Sequence, residues 1–215
     1  MSLVAFDFDG TLSDSEMTVL LGDRCGVADD MAEITERSMN DEIEYAESLR
    51  KRAALLDGLS GSDADAAFDE VELREGAADL IGELNDAGVT TAILTGGFER
   101  GVATALEREG VTVDRIVSNR LPMNDEPELT GEVEGPLIEG TKDDALETLA
   151  SEVGIDLADT VAVGDGANDL PMLNVAGLSI GFDPKPAVEP HCEVVVNSMA
   201  DVRETLLDRD VLENA

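Results

Sequence analysis

Two aspartates one residue apart, Asp7 and Asp9, close a short apolar run, Leu3 to Phe6, and Gly10 and Thr11 follow at once. Such a run, bounded by a turn, reads as a buried strand, which sets both carboxylates at the strand's carboxyl end. In open α/β sheets that edge is where ligands bind. Paired carboxylates there suit nucleophilic attack or proton transfer, although alone they also read as an acidic turn with an aspartate cap. Three further stretches carry complementary groups. Val89 to Leu94 reads as an apolar strand ending in Thr95-Gly96-Gly97 before a helix, which offers a hydroxyl and free backbone N–H groups to an anion. Lys142 falls in the first turn of a helix opened by Thr141 in a capping-box pattern; the helix dipole disfavours a cation there, so a lysine implies a nearby anion. Thr160 to Val163 reads as a strand leading into Gly164-Asp165-Gly166-Ala167-Asn168-Asp169. Carboxylates from two strand ends make an oxygen-ligand site suited to Mg²⁺, while Lys142, the Thr95 hydroxyl and the Gly96 N–H can meet phosphoryl oxygens. Two competing motifs fail. Gly10 comes too early after Asp7 for an EF-hand, and Gly135 to Lys142 orders its threonine and lysine wrongly for a P-loop and lacks a clear preceding strand.

The elements that must position these groups are legible as two patterns. After the first strand come helices only, at residues 15–24, 28–38 and 41–56, then a Gly/Ser linker over 59–65 and a short helix near 63–70. In the long helix Ile43, Ala46, Leu49, Ala53 and Leu56 fall at helical spacing as a core stripe, with Tyr45, Ser48 and Arg52 on an adjacent face. From Gly76 the chain alternates helix and strand, with strands at 89–94, 115–118, 160–163, 178–182 and 193–196, the signature of a parallel sheet. Residues 119–138 interrupt it with a hairpin whose arms, 128–130 and 132–134, turn around Gly131.

Composition narrows the functional classes. The 215 residues carry 49 acidic against 14 basic side chains, a net charge of -35, spread along the chain. Hydrophobic residues at 43% argue for a packed core rather than disorder. Self-repulsion at this density predicts adaptation to high ionic strength, where the Debye length shrinks to about 3 Å at 1 M salt. So negative a surface, with 3% aromatic residues, is unsuited to nucleic acid or anionic membranes. No signal peptide or spanning segment is visible, which predicts a cytoplasmic protein. Cys25 and Cys192 stand far apart and read as reduced thiols. His191 is the only histidine, which disfavours zinc sites and nucleophilic triads and pushes catalysis towards carboxylates.

The four motifs, Asp7-Phe8-Asp9-Gly10-Thr11, Thr95-Gly96-Gly97, Lys142 and Gly164 to Asp169, resemble in order and spacing those of the haloacid dehalogenase superfamily, over nearly the whole chain. The resemblance implies an α/β fold: a Rossmannoid three-layer core with a parallel sheet, a small helical cap inserted after the first strand, and a β-hairpin flap. The implied core is residues 1–14 and 73–215, and the cap is 15–72. Asp9 resembles the phosphatase branch, in which Asp7 is the nucleophile, Asp9 the general acid and base, and Lys142 a catalytic cation. Mg²⁺ is implied to sit on the Asp7 carboxylate, the Asp9 carbonyl and the Asp165 carboxylate, with Asp169 behind them and Thr95, Gly96, Gly97 and Asn168 around the phosphate.

Within that superfamily the chain looks most like the phosphoserine phosphatases. The implied substrate is a small phosphorylated amino acid, its ammonium paired with Glu16, its carboxylate with Arg52, and its methylene walled by Met39 and Tyr45. Gly10 and Thr95 stand where that family usually shows serine, and Asp183-Pro184 departs from its usual residues before Lys185-Pro186. The expected protein is a monomer or homodimer of serine biosynthesis. Phosphotransfer to an alcohol such as homoserine, hydrolysis of another small phosphate, and a non-catalytic binding domain are the alternatives. The acid excess resembles that of haloarchaeal proteins.

Overall fold

The computed structural model describes residues 2–39 and 42–213. Strand β1 (Leu3–Phe6) is followed by helices α1 (Met17–Cys25), α2 (Ala28–Met39), α3 (Tyr45–Ala54) and α4 (Gly61–Phe68), before α5 (Ala77–Asp86) leads into β2 (Thr90–Phe98). The alternation continues through α6 (Glu99–Glu109), β3 (Arg115–Asn119), α7 (Lys142–Val153), β4 (Thr160–Gly164), α8 (Leu170–Val175), β5 (Leu178–Phe182), β6 (Val194–Val196) and α9 (Met199–Asp208).

Every strand pairing is parallel, in the order β3-β2-β1-β4-β5-β6. The chain winds outward on one side of β1 and then returns to the other, so the crevice between β1 and β4 is the topological switch point. Phe6 lies beside Val163 in register, and the Asp7 N–H donates to the Val163 carbonyl at 2.8 Å, so the residues that follow the two strands emerge side by side.

The side chains of β1 alternate between two cores. Val4 and Phe6 pack with α1, α4, α5, α6 and α9 on one face, and Leu3 and Ala5 with α7 and α8 on the other. Strands β1, β4 and β5 are buried at every position, as covering both faces of a parallel sheet requires. The first core continues without a break into α1, α2 and α3 through Leu21, Met31 and Leu49.

Three segments depart from the sequence expectation. The helix expected over 41–56 begins at Tyr45, because Glu44 is extended and takes the N-cap position. The linker expected over 59–65 is already helical from Gly61, since the Ser60 hydroxyl accepts the Asp63 N–H at 3.1 Å. The hairpin is larger and turns elsewhere: Arg120 exchanges backbone hydrogen bonds with Glu134 at 2.7 and 3.0 Å. Its tip forms where Asn124 Oδ1 accepts the N–H groups of Glu126 at 2.9 Å and Glu128 at 3.1 Å. Gly131, at φ 72°, lies on the return arm against Asp57, where a side chain would collide. That arm is bonded to the α3–α4 connection, Gly58 N–H to the Leu129 carbonyl at 2.9 Å and Leu129 N–H to the Leu59 carbonyl at 2.8 Å.

Candidate active site

At the switch point Lys142 is buried between two carboxylates, with its Nζ 2.6 Å from Asp7 Oδ1 and 2.6 Å from Asp169 Oδ1. The lysine heads α7, and Thr141 before it does not cap the helix as its pattern suggests. The Thr141 hydroxyl instead donates to the Asp143 and Asp144 carboxylates. The cost of a cation at this helix start is offset by the two anions it meets. Burial alone would lower the Lys142 pKa, but Asp169 and Asp7 outweigh it and hold the ammonium charged well above its usual range.

Asp169 has no free oxygen facing the crevice. Its Oδ2 accepts the N–H groups of Asp165 and Gly166, each at 2.9 Å, while its Oδ1 takes Lys142 and, at 3.3 Å, the Asn168 amide. It therefore fixes both the turn after β4 and the lysine. Among the described residues, oxygens of Asp7, Asp165 and Asp169 lie within 4.8 Å of one another. With Asp169 saturated, Asp7 and Asp165 are left to face a cation. Burial, then Asp169, pushes the Asp7 carboxyl up to about 7 despite Lys142. Burial and Asp169 likewise push Asp165 to about 6, with Lys185 opposing. Crowded hard oxygens that resist ionisation fit a divalent metal, which relieves the repulsion on binding.

This gives a signed pH dependence. Both carboxyls hold protons more tightly folded than unfolded, so as pH rises from the ordinary carboxylate range through about 7 they cost the metal-free fold stability. A divalent cation must displace those protons, so its affinity should fall by at least about tenfold from pH 8 to pH 5.5. Calorimetric titration in molar salt measures this; equal affinities at the two pH values would contradict it.

Asp9 behaves differently from Asp7. Its Oδ1 is sealed from solvent and unpaired. Burial first, then Glu16 and Asp7, raises its pKa well above the ordinary value, which favours the protonated form. A side chain on Gly97 would come within 2.7 Å of Asp9 Oδ2, which explains the glycine by close approach and not by backbone angle. Thr95 is buried, and its hydroxyl accepts the Gly97 N–H at 3.0 Å. Gly10 needs its lack of a side chain twice over, for φ 86° and because a Cβ would stand 2.7 Å from Asp165 Oδ1.

The helices after β1 bring the remaining expected residues to the same crevice. Tyr45 begins α3 and its hydroxyl rests on Gly96, so the polar end of the ring reaches the core rather than the ring acting only as an apolar wall. Arg52, two turns on, sends Nη1 to Thr18 Oγ1 at 3.5 Å and keeps a buried, unpartnered Nε. Glu16, at the exposed N-cap of α1, lies within electrostatic reach of both Arg52 and Lys185. Met39 ends α2, and its side chain lies outside the described residues.

Three further groups position the site: Arg74 and Asn119 are not among the sequence expectations, and Lys185 carries no role in them. Arg74 donates to the Gly10 carbonyl at 3.2 Å while its guanidinium lies over Phe182, 5.0 Å from the ring centre. Asn119, fully buried, donates to the Gly96 carbonyl at 3.1 Å and accepts the Leu137 N–H at 3.1 Å, fixing the peptide beside Thr95. Lys185 holds Asp165 twice, its N–H on the Asp165 carbonyl at 2.9 Å and its Nζ 3.6 Å from Oδ2. The lysine follows Asp183, whose φ of 40° is unusual for a residue with a side chain. Only the strand-end position of Asn119 gave a signal that could have marked it.

A family model described as haloacid dehalogenase-like hydrolase matches residues 4–174. A phosphoserine phosphatase of Halobacterium salinarum is 54% identical over 211 residues, 98% of this chain and 100% of that one. The phosphoserine phosphatase of Methanocaldococcus jannaschii is 38% identical over 205 residues, 95% of each. Among solved structures, a substrate-bound phosphoserine phosphatase complex superposes with a TM-score of 0.87 at 36% identity, covering 97% of each chain. A phospho-aspartyl intermediate analogue of phosphoserine phosphatase superposes at 0.86 with 37% identity, covering 97% of this chain and 98% of that one.

Proposed function

The chain belongs to the haloacid dehalogenase-like hydrolases, and from that premise we propose that it hydrolyses L-phosphoserine to L-serine and inorganic phosphate through an aspartyl-phosphate on Asp7. Residues 15–72 serve as the cap over a core of residues 1–14 and 73–215. The observation that carries the chemistry is the difference between neighbouring carboxyls: a buried ammonium holds Asp7, while no cation pairs with Asp9 and burial favours its protonated form. An Asp7 oxygen attacks phosphorus and the bond from phosphorus to the serine oxygen breaks, with the Asp9 proton passing to that oxygen. Asp9, now a carboxylate, takes a proton from the water that attacks phosphorus next. Phosphate leaves, and Asp7 and protonated Asp9 are restored.

Mg²⁺ would be held by the carboxylates of Asp7 and Asp165 with the Asp9 carbonyl. When bound it supplies positive charge that lets an anionic nucleophile approach an anionic phosphate. Lys142 adds a fixed cation, and Thr95, the Gly96 and Gly97 backbone and the Asn168 amide receive the phosphoryl oxygens.

The substrate assignment rests on the pair at the pocket mouth. An amino acid presents an ammonium and a carboxylate at fixed separation, and Glu16 and Arg52 offer the matching charges. The unpartnered Arg52 Nε supports a missing carboxylate partner, since a buried guanidinium donor is costly to leave unmade. Arg52→Ala should cut kcat/KM on phosphoserine by roughly 100-fold while changing turnover of p-nitrophenyl phosphate little. Steady-state kinetics on both substrates measures the contrast, and equal losses would sink the clamp.

The working environment is a cytoplasm of high ionic strength, in serine biosynthesis. With a net charge of -35, the fold should gain stability continuously as salt rises to molar levels, and activity should follow. Full folding and full activity in dilute buffer, by circular dichroism and phosphate release, would contradict this.

A further inference from the structure

The groups that receive a phosphate here come from the core, yet one side chain crosses from α3 and ends on the same spot. A Cβ built on Gly96 would fall 1.9 Å from Tyr45 Oη and 3.1 Å from its Cζ, so the hydroxyl stands directly over that glycine. The neighbours acting on the phenol electrostatically are Lys142, Arg52, Asp7 and Asp9, which places it among the groups that surround the transferring phosphoryl. A residue needed only to wall off a methylene would require a ring and no hydroxyl. A phenolic O–H brought to this position is instead a hydrogen-bond donor in a site built to hold a dianion.

We propose that the Tyr45 hydroxyl is a phosphoryl-binding group, donating a hydrogen bond to a non-bridging oxygen of the phosphate docked at Gly96, a role that rests on the phosphomonoesterase reading above. The hydroxyl accompanies the start of α3, so this contact couples seating of that helix over the crevice to the presence of a phosphate. Arg52 sits two turns along the same helix, so one element reads both ends of the substrate, Tyr45 the phosphate and Arg52 the carboxylate.

The two contributions separate by substrate. Tyr45→Phe keeps the ring and removes only the donor. Its kcat/KM should drop about tenfold on phosphoserine and by a similar factor on p-nitrophenyl phosphate, and inhibition by inorganic phosphate should weaken about as much. Its unfolding midpoint in molar salt should match the parent protein, which sets a folding defect apart from a lost donor. Tyr45→Leu, lacking ring and hydroxyl, should lose at least as much phosphate binding. Phosphate inhibition and turnover of Tyr45→Phe within twofold of the parent on both substrates would overturn the proposal, as would a loss confined to phosphoserine. If the parent protein turns over p-nitrophenyl phosphate but not phosphoserine, the substrate reading fails while the hydroxyl's role is still decided by the p-nitrophenyl phosphate and inorganic phosphate measurements.

Discussion

Asp7→Asn should abolish turnover, with kcat lowered by on the order of 10⁴-fold or more, while the protein remains folded. The amide matches the carboxylate in size and keeps an oxygen towards Lys142, but it is a poor nucleophile and carries no charge. Burial already makes the Asp7 carboxyl reluctant to ionise, so removing that charge also removes an electrostatic burden. Lys142 retains Asp169, at 2.6 Å, as its partner. Stability should therefore change by no more than about 1–2 kcal/mol. Stopped assays with phosphoserine, paired with thermal unfolding, check both halves. More than about 1% residual activity, shown to be free of reversion by deamidation, would refute the nucleophile assignment.

Lys142→Ala should damage activity and fold together. Removing the ammonium leaves Asp7 and Asp169 as buried carboxylates facing each other with no counter-charge, a change that costs about 3–5 kcal/mol. The sign with pH follows from the same groups. Lys142 is held charged above its ordinary range, so in the parent protein its contribution is fully present below that range and fades only at strongly alkaline pH. In the variant Asp7 recovers stability by taking up a proton, so the deficit relative to the parent should shrink as pH falls below about 7. Turnover should fall by on the order of 10³-fold or more even where the variant is folded, because phosphoryl charge loses its fixed cation. Denaturant titrations at pH 5.5 and 8 measure the deficit; the same deficit at both would contradict the proposed origin.

These effects concentrate in residues that the sequence displayed openly, and the reason is local. Asp7 follows an apolar run and Asp165 follows another, and in a parallel sheet the end of each run is the edge where ligands bind. Strand order then does the rest, since β1 and β4 must be neighbours for the two acids to meet. Lys142 was legible because a lysine at a helix start is anomalous unless an anion stands by. Asp169 was visible as an acid, but the way its two oxygens are shared among Lys142, Asn168 and two backbone N–H groups depends on the folded turn.

What the sequence did not display depends on contacts between distant segments. Gly131 is a turn residue by type, yet it serves close packing on Asp57 while Asn124 makes the hairpin tip. The apolar spacing runs on through Ile43, whereas Glu44 is extended and α3 starts only after it. Asn119 and Arg74 act on Gly96 and Gly10 across 23 and 64 residues of chain, a separation at which periodicity carries no information. The Tyr45 hydroxyl belongs with them, since only the approach of α3 to β2 turns a wall residue into a donor.

Transfer of the phosphoryl group through Asp7 is the step on which the proposed function depends. The most direct measurement is to mix the protein with L-phosphoserine and Mg²⁺ in molar salt, quench in acid within the first turnovers, and map the phosphoryl group by peptide mass spectrometry. A phosphoryl increment is expected on the peptide that carries Asp7, absent from Asp7→Asn and lost on brief alkaline treatment as an acyl phosphate is. Phosphate release at the full rate with no increment on that peptide, or with one on another residue, would contradict it.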